Sequence, residues 1–272
     1  MGPGLRRFAR GVIGPHTVVV DHSTGVSRSL VLVLKDGHGR HWIAKRHSHR
    51  SDWAREVRAY RRWVPALGPH APQLQAAEKR RDALITTFVP GRPAQDEPEV
   101  HRVAGELLRR FHDSSPDLAV PGLVALRAQE LERWLRAAPG ILDRRELAFV
   151  EARIADTEHL PDRLVPCHHD YTSRNWLTDA EGRLSVIDFG GTRPHAWVQD
   201  LVWLQLGPWR RGELREAFLE GYGRALDADD EARLQRCVAV TALRLITAAR
   251  ASGWTEREQR WRRHLHTAMA AS

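Results

Sequence analysis

In the stretch CHHDYTSRNWLTDAEGRLSVIDFGG, residues 167 to 191, His168, Asp170 and Asn175 form the pattern H-x-D-x-x-x-x-N, and Asp188 opens a D-F-G. Asn175 is the only asparagine among 272 residues, set five positions after Asp170 and thirteen before Asp188. These residue types answer the needs of phosphoryl transfer. A carboxylate must take the proton of an attacking hydroxyl, and oxygen ligands must hold Mg²⁺ against nucleotide phosphates. Asp170 suits the base. The side-chain carbonyl of Asn175 and the carboxylate of Asp188 suit the metal, and His168 suits a hydrogen-bonded brace for the loop. Either short string alone is common by chance, so the order and the spacing together carry the signal.

Groups of this kind work only when rigid elements hold them. The runs TVVVDHST, RSLVLVLK and RHWIAK between 17 and 45 read as three antiparallel strands, with Asp36-Gly37 marking a hairpin turn. Trp53, Val57, Tyr60 and Val64 recur at helical spacing and predict an amphipathic helix over 51–67, capped by Ser51 or Asp52. Two further strands are expected at 72–78 and 83–89. The PGRP run at 90–93 then breaks the pattern and reads as a hinge. Beyond it helices are expected near 97–113, 127–138, 143–159, 196–206, 211–225, 229–252 and 254–269. They are interrupted by a hairpin of NWLTD and RLSVIDF around an AEGR turn. The fold class is therefore α+β: a small antiparallel-sheet lobe over 1–90 and a mainly helical lobe over 91–272.

Composition narrows the function classes. Hydrophobic residues at 42% and charged residues at 28% suit a folded soluble chain, and no run approaches the roughly 20 apolar residues of a membrane helix. The N-terminal MGPGLRRFARGVIG has no apolar segment of signal-peptide length. With Cys167 and Cys237 alone there is no disulfide framework or zinc pattern, and a cytoplasmic setting is expected. The net charge of +8 is lopsided: residues 1–95 carry 17 Lys and Arg against 6 Asp and Glu, and the remainder is mildly acidic. A basic first half raises nucleic acid as a partner. Its arginines read instead as a solvated face that helps attract a polyanionic nucleotide, and the ten tryptophans show no base-stacking spacing. The absence of G-x-x-x-x-G-K-[ST] and of G-x-G-x-x-G excludes a P-loop enzyme and a typical protein-kinase glycine loop.

HHDYTSRN and IDFG together resemble the catalytic loop and metal-binding segment of the aminoglycoside phosphotransferase and choline kinase superfamily, distant relatives of the protein kinases. One departure is His169, which stands where that family usually has glycine. The resemblance implies a bilobal protein-kinase-like fold using ATP or GTP with Mg²⁺. Lys45 in WIAK matches the lysine that holds the nucleotide phosphates, and Glu56 is placed to pair with it. Ser23, Thr24, Gly25 and Ser27 match the loop between the first two strands that covers the nucleotide. Backbone groups near Thr87 and Val89 would meet the purine, Asn175 and Asp188 would hold the metal, and Asp200 would brace the catalytic loop. Arg174, next to Asn175, could stabilise charge on the transferred phosphoryl group. His112 and His195 read as ordinary structural residues, as do Lys35 and Lys79 as surface.

The acceptor implied by the resemblance is a small-molecule hydroxyl, foremost on an antibiotic such as an aminoglycoside, in a resistance or self-protection role. Nucleoside or peptide antibiotics and other small metabolites compete with it. An aminoglycoside needs local carboxylates, which DADDE at 227–231 and the group Asp96, Glu97 and Glu99 could supply. A catalytically idle nucleotide- or RNA-binding module is the alternative from another class. The joint presence of Lys45, Asp170, Asn175 and Asp188 speaks against it, because a binding module needs no base.

Overall fold

The computed structural model describes residues 3–23, 29–115, 118, 123–155 and 164–270. It opens with an element that the sequence reading leaves unassigned, helix α1 (Pro3–Ile13). Leu5, Phe8, Ala9 and Val12 recur at helical spacing. Leu5 and Ala9 are buried in a cluster with Leu32, Leu34, Trp42, Ala44 and Ile85 on the sheet, while Arg6, Arg7 and Arg10 face solvent. Part of the basic charge of the first half is thus a solvated helix face.

Strands β1 (His16–Asp21), β2 (Ser29–Asp36) and β3 (His41–His47) are followed by α2 (Arg50–Arg62), β4 (Leu74–Glu78) and β5 (Ala83–Thr87). They form an antiparallel sheet in the order β1-β2-β3-β5-β4. The predicted Asp36 turn is built by that side chain. Its Oδ1 accepts from the amides of His38 and Arg40, both at 2.9 Å, and its Oδ2 accepts from Trp42 Nε1 at 3.0 Å. Helix α2 stops at Arg62, short of the expected end at 67, and continues as a 3₁₀ segment (Val64–His70). Pro65 accounts for this, since proline disfavours the α conformation at the residue before it and has no N–H to donate.

The PGRP run forms a short strand, β6 (Arg92–Pro93), which pairs with β8 (Trp176–Thr178) of the predicted hairpin; β8 in turn pairs with β9 (Leu184–Val186). Gly91 makes the approach possible: its φ is +139°, and a Cβ there would lie 2.9 Å from Thr178 O. The hinge is thereby tied to the hairpin that carries Asn175 and Asp188 at its ends.

The helical lobe comprises α3 (Pro98–Asp113), α4 (Leu123–Ala137), α5 (Arg144–Ala155), α6 (Val202–Leu206), α7 (Gly212–Tyr222), α8 (Ala228–Ala251) and α9 (Thr255–Ala270). Strands β7 (Val165–Cys167) and β10 (Arg193–His195) pair beside the loop at 168–175. The expected helix over 196–206 begins as a 3₁₀ segment (Trp197–Leu201) and becomes α6. Both cysteines are buried free thiols. Among the described residues no helix is long and apolar enough to cross a membrane.

Helices α3 and α7 meet through glycine. A Cβ on Gly221 would fall 1.9 Å from Arg102 O, and one on Gly105 would fall 2.1 Å from Phe218 O. Gly221→Ala is therefore expected to cost about 3 kcal/mol or more, by forcing two packed backbones apart. Urea denaturation measures it, and a loss below about 0.5 kcal/mol would contradict this packing.

Candidate active site

Strand β3 and helix α2 place the first group of residues. Lys45 Nζ lies 3.0 Å from Glu56 Oε2 and 2.9 Å from Asp188 Oδ1, so the small lobe and the D-F-G segment meet at one ammonium. Glu56 is buried. Burial opposes the charge on Lys45, but the carboxylates of Glu56 and Asp188 outweigh it and raise its pKa. Lys45 in turn holds the half-exposed Asp188 carboxyl down to about 2, against a smaller opposing effect of desolvation. The stability this pairing gives is complete above the ordinary carboxyl value and is lost as pH falls through about 2. Lys45→Met should move the Asp188 midpoint, followed by carboxyl ¹³C NMR, back up towards 3.8. An unmoved midpoint would contradict the pairing.

A second partner of Glu56 escaped the sequence reading. His47, also buried, sets its Nε2 2.6 Å from Glu56 Oε2. It lies two residues after Lys45, and that period of two, which puts both on one face of β3, is the signal that could have found it.

The loop at 168–175 places the second group. Asn175 Nδ2 donates to the main-chain oxygen of Asp170 at 2.8 Å and to its Oδ2 at 2.9 Å, while Arg174 Nη2 donates to Asp170 Oδ1 at 2.7 Å. Both oxygens of the Asp170 carboxylate are thus held. With its nitrogen committed, Asn175 keeps its side-chain oxygen for another partner. The two groups are joined through Ile187, whose N–H donates to Asn175 O at 2.9 Å and whose oxygen lies 3.0 Å from His168 Nε2. Asp188 follows with a left-handed backbone at φ 63°. Phe189 fills the space behind it, 5.6 Å ring to ring from Tyr60 of α2 and 5.0 Å from His168.

Asp200 reaches this loop from below. Its Oδ2 accepts from His168 N at 2.7 Å and its Oδ1 from His169 N at 2.6 Å. His112, read as ordinary from the sequence, belongs to the same buried network: Nε2 lies 3.0 Å from Asp200 Oδ2 and Nδ1 lies 2.8 Å from Tyr222 OH. His169 has φ 65°, in the left-handed region where a side chain costs about 1 kcal/mol or more. This is the physical reason that glycine suits the position, and the strain is held in place by the Asp200 contact and by Trp203 Nε1, which donates to His169 O at 3.0 Å.

The remaining predicted residues stand further out. Ser23 Oγ accepts from Val31 N at 3.1 Å, closing the end of β1 onto β2. Thr24, Gly25 and Ser27 lie outside the described residues. Thr87 gives its N–H to Gln73 O and accepts from Gln73 N with its hydroxyl, both at 2.9 Å, so its N–H is already engaged. Val89 is half-buried beyond it, along a cavity of about 240 Å³ shared with Phe88 and Pro90. The carboxylates suggested for a cationic acceptor are largely matched already. Asp96 Oδ1 lies 3.1 Å from His101 Nε2, Glu99 pairs with Arg102, Glu231 pairs with Arg215, and Asp230 accepts from Arg224 Nη2 and Trp197 Nε1.

Comparison with known proteins bears on the family and the fold. A model of the phosphotransferase enzyme family matches residues 19–236. Over 188 residues the chain is 28% identical to an uncharacterized protein of Deinococcus radiodurans; the match covers 62% of this chain and 55% of that protein, so the chain spans about half the length of this curated relative. The GDP complex of wild-type aminoglycoside 2'-phosphotransferase-IIIa has a similar structure, with a TM-score of 0.72 at 13% identity, covering 98% of each chain. A choline/ethanolamine kinase family protein from Mesorhizobium loti gives 0.67 at 19% identity, covering 97% of each. At these identities the likeness is one of fold, and the fold is the bilobal kinase-like one expected.

Proposed function

The chain belongs to the phosphotransferase enzyme family, and on that premise we propose that it transfers the terminal phosphoryl group of ATP or GTP to a hydroxyl of a small molecule. The observation that carries this reading is the convergence of Lys45 and Glu56 from the small lobe with Asp188 beside the loop of Asp170 and Asn175. Residues 1–90 then form the nucleotide lobe, and 91–272 carry the catalytic loop and the acceptor surface.

Asp170 is the base. The acceptor hydroxyl approaches it, its O–H bond breaks towards the carboxylate, its oxygen bonds to phosphorus, and the nucleoside diphosphate leaves with the former bridging oxygen. Asn175 keeps the carboxylate in place through Oδ2, and Arg174 is close enough at Oδ1 to turn towards charge on the phosphoryl group. Lys45, steadied by Glu56, positions the phosphates, the resemblance assigns Ser23, Thr24, Gly25 and Ser27 to the nucleotide as well, and backbone groups around Thr87 and Val89 meet the purine. The donor set suits Mg²⁺: the free side-chain oxygen of Asn175 and an Asp188 carboxylate that stays ionised at any working pH are hard oxygen ligands. Bound there, the ion would neutralise phosphate charge.

Arg174→Ala should lower kcat at least about tenfold, because it removes a charge that acts in the transition state. A fall no larger than that of the exposed Arg136→Ala would remove Arg174 from the machinery. The idle-module alternative lacks a use for the assembled base. A protein-kinase role lacks room for an activation loop, since β10 follows the D-F-G segment directly and leads into the Trp197–Leu201 turn. The family and the fold leave a resistance enzyme of the cytoplasm as our preferred biological setting. Equilibrium titration with ATP and GTP, with and without Mg²⁺, tests the nucleotide half of the proposal. Binding weakened by Asp188→Asn in the presence of Mg²⁺ is expected, and binding of neither nucleotide would overturn it.

A further inference from the structure

A run of partly exposed rings leads away from the catalytic loop across the helical lobe. His169, adjacent to Asp170, lies 5.6 Å ring to ring from His195. Trp203, bonded to His169 O, lies 5.2 Å from Trp261 of α9, and Trp261 lies 5.4 Å from His264. None of these five side chains is buried. The wall therefore begins beside Asp170, and each of its rings keeps part of its surface exposed.

Its charge is basic. Arg174 is exposed beside Asp170, and Arg210 reaches α9, donating from Nη2 to Thr267 Oγ1 at 3.1 Å. Burial lowers the pKa of His264, a backbone contact with Leu206 works against this, and Arg210, Arg260 and Arg263 lower it further, which makes the local field positive. The buried carboxylates of the neighbouring helices do not offset it: Glu258 is held by Arg250 and Arg262, and Glu146 by Arg262 and His266. The carboxylates Asp96, Glu99, Asp230 and Glu231 are matched by arginine or histidine, so a polycation passing along these rings would meet chiefly positive charge.

We propose that this aromatic and basic wall binds the acceptor, and that the acceptor is a planar or aromatic hydroxyl compound of neutral or negative charge. The assignment rests on the reading of Asp170 as the base. It narrows the acceptor class away from the aminoglycosides, for which an acidic cleft is required.

The test uses three matched alcohols: 2-(4-methylphenyl)ethanol, 4-(2-hydroxyethyl)benzoate and 2-(4-aminomethylphenyl)ethanol. Each is titrated into the full chain loaded with a non-hydrolysable ATP analogue while tryptophan fluorescence is followed. The neutral and anionic compounds should bind at least about tenfold more tightly than the cationic one, with the gap closing as salt rises. Trp261→Leu should weaken binding of the neutral compound about tenfold while the variant still binds the nucleotide analogue, which shows it to be folded. Equal or tighter binding of the cation, unchanged affinity in Trp261→Leu, or no binding of any of the three up to about 10 mM would each overturn the assignment. Failure of the phosphotransferase reading is separate, because it would leave this order of affinities intact while no compound gained a phosphoryl group.

Discussion

Asp170→Asn should leave nucleotide affinity within about a factor of two and lower kcat by roughly 10² to 10⁴, the range that a positioned general base contributes. The substitution is nearly isosteric. The oxygen of the introduced amide can still accept from Asn175 Nδ2, which in the native chain reaches Asp170 Oδ2 at 2.9 Å, and the exposed Arg174, which loses its acceptor at Oδ1, can turn to solvent, so the loop keeps its shape. What disappears is the capacity to take a proton. The effect should therefore fall on kcat and kcat/KM together and leave the nucleotide Kd in place. Steady-state kinetics with any acceptor that is turned over reads it. A reduction no larger than that of Asp113→Asn, an exposed carboxylate paired with Arg109, would contradict the role.

The second large effect lies beneath the site. Asp200 is fully buried and accepts from His168 N, His169 N and His112 Nε2. Asp200→Asn preserves volume but turns an N–H₂ towards one of these donors, and Asp200→Ala abandons all three. Breaking such a buried network costs about 3–5 kcal/mol, a fall in Tm of roughly 10 °C for a chain of this size. The left-handed backbone at His169 makes the site more sensitive, because the hydrogen bond from His169 N to Asp200 helps hold it in that conformation. Turnover should fall with stability in these variants, whereas Asp170→Asn should separate the two. Calorimetry alongside kinetics distinguishes the positioning residue from the base, and a Tm change below about 2 °C would contradict the bracing role.

The parts most legible in the sequence are those where a local pattern and its chemistry coincide. The Asp36 turn and the hairpin between Asn175 and Asp188 follow from turn residues and appear where expected, whereas α2 keeps its predicted apolar face but starts at Arg50 with His49, not Ser51 or Asp52, at its cap. The grouping of Asp170, Asn175 and Asp188 was legible because they are separated by fixed spacings within one short segment. Lys45 and Glu56 required a resemblance, since nothing local to them states that they pair or that Lys45 meets Asp188 across 143 positions. The residues that escaped are those defined by tertiary contact. His112 sits mid-helix on α3, and only the fold brings it to Asp200 and Tyr222. His47 acquires meaning only when α2 lays Glu56 against β3. Helix α1 is obscured for a different reason: arginine dominates its composition, although the Leu5, Phe8, Ala9 and Val12 spacing is present.

The central claim is that this cleft moves a phosphoryl group onto a hydroxyl under the control of Asp170. Its most direct test is mass spectrometry of a panel of hydroxylated antibiotics, aromatic alcohols and hydroxy acids. The panel is incubated with Mg²⁺, ATP or GTP, and either the native chain or Asp170→Asn. The account predicts that at least one compound gains a single phosphoryl group with the native chain, only when Mg²⁺ is present, and at a rate sharply reduced by the substitution. Phosphorylation that proceeds equally with Asp170→Asn, or a native chain that binds nucleotide with Mg²⁺ and modifies no hydroxyl compound across the panel, would contradict it.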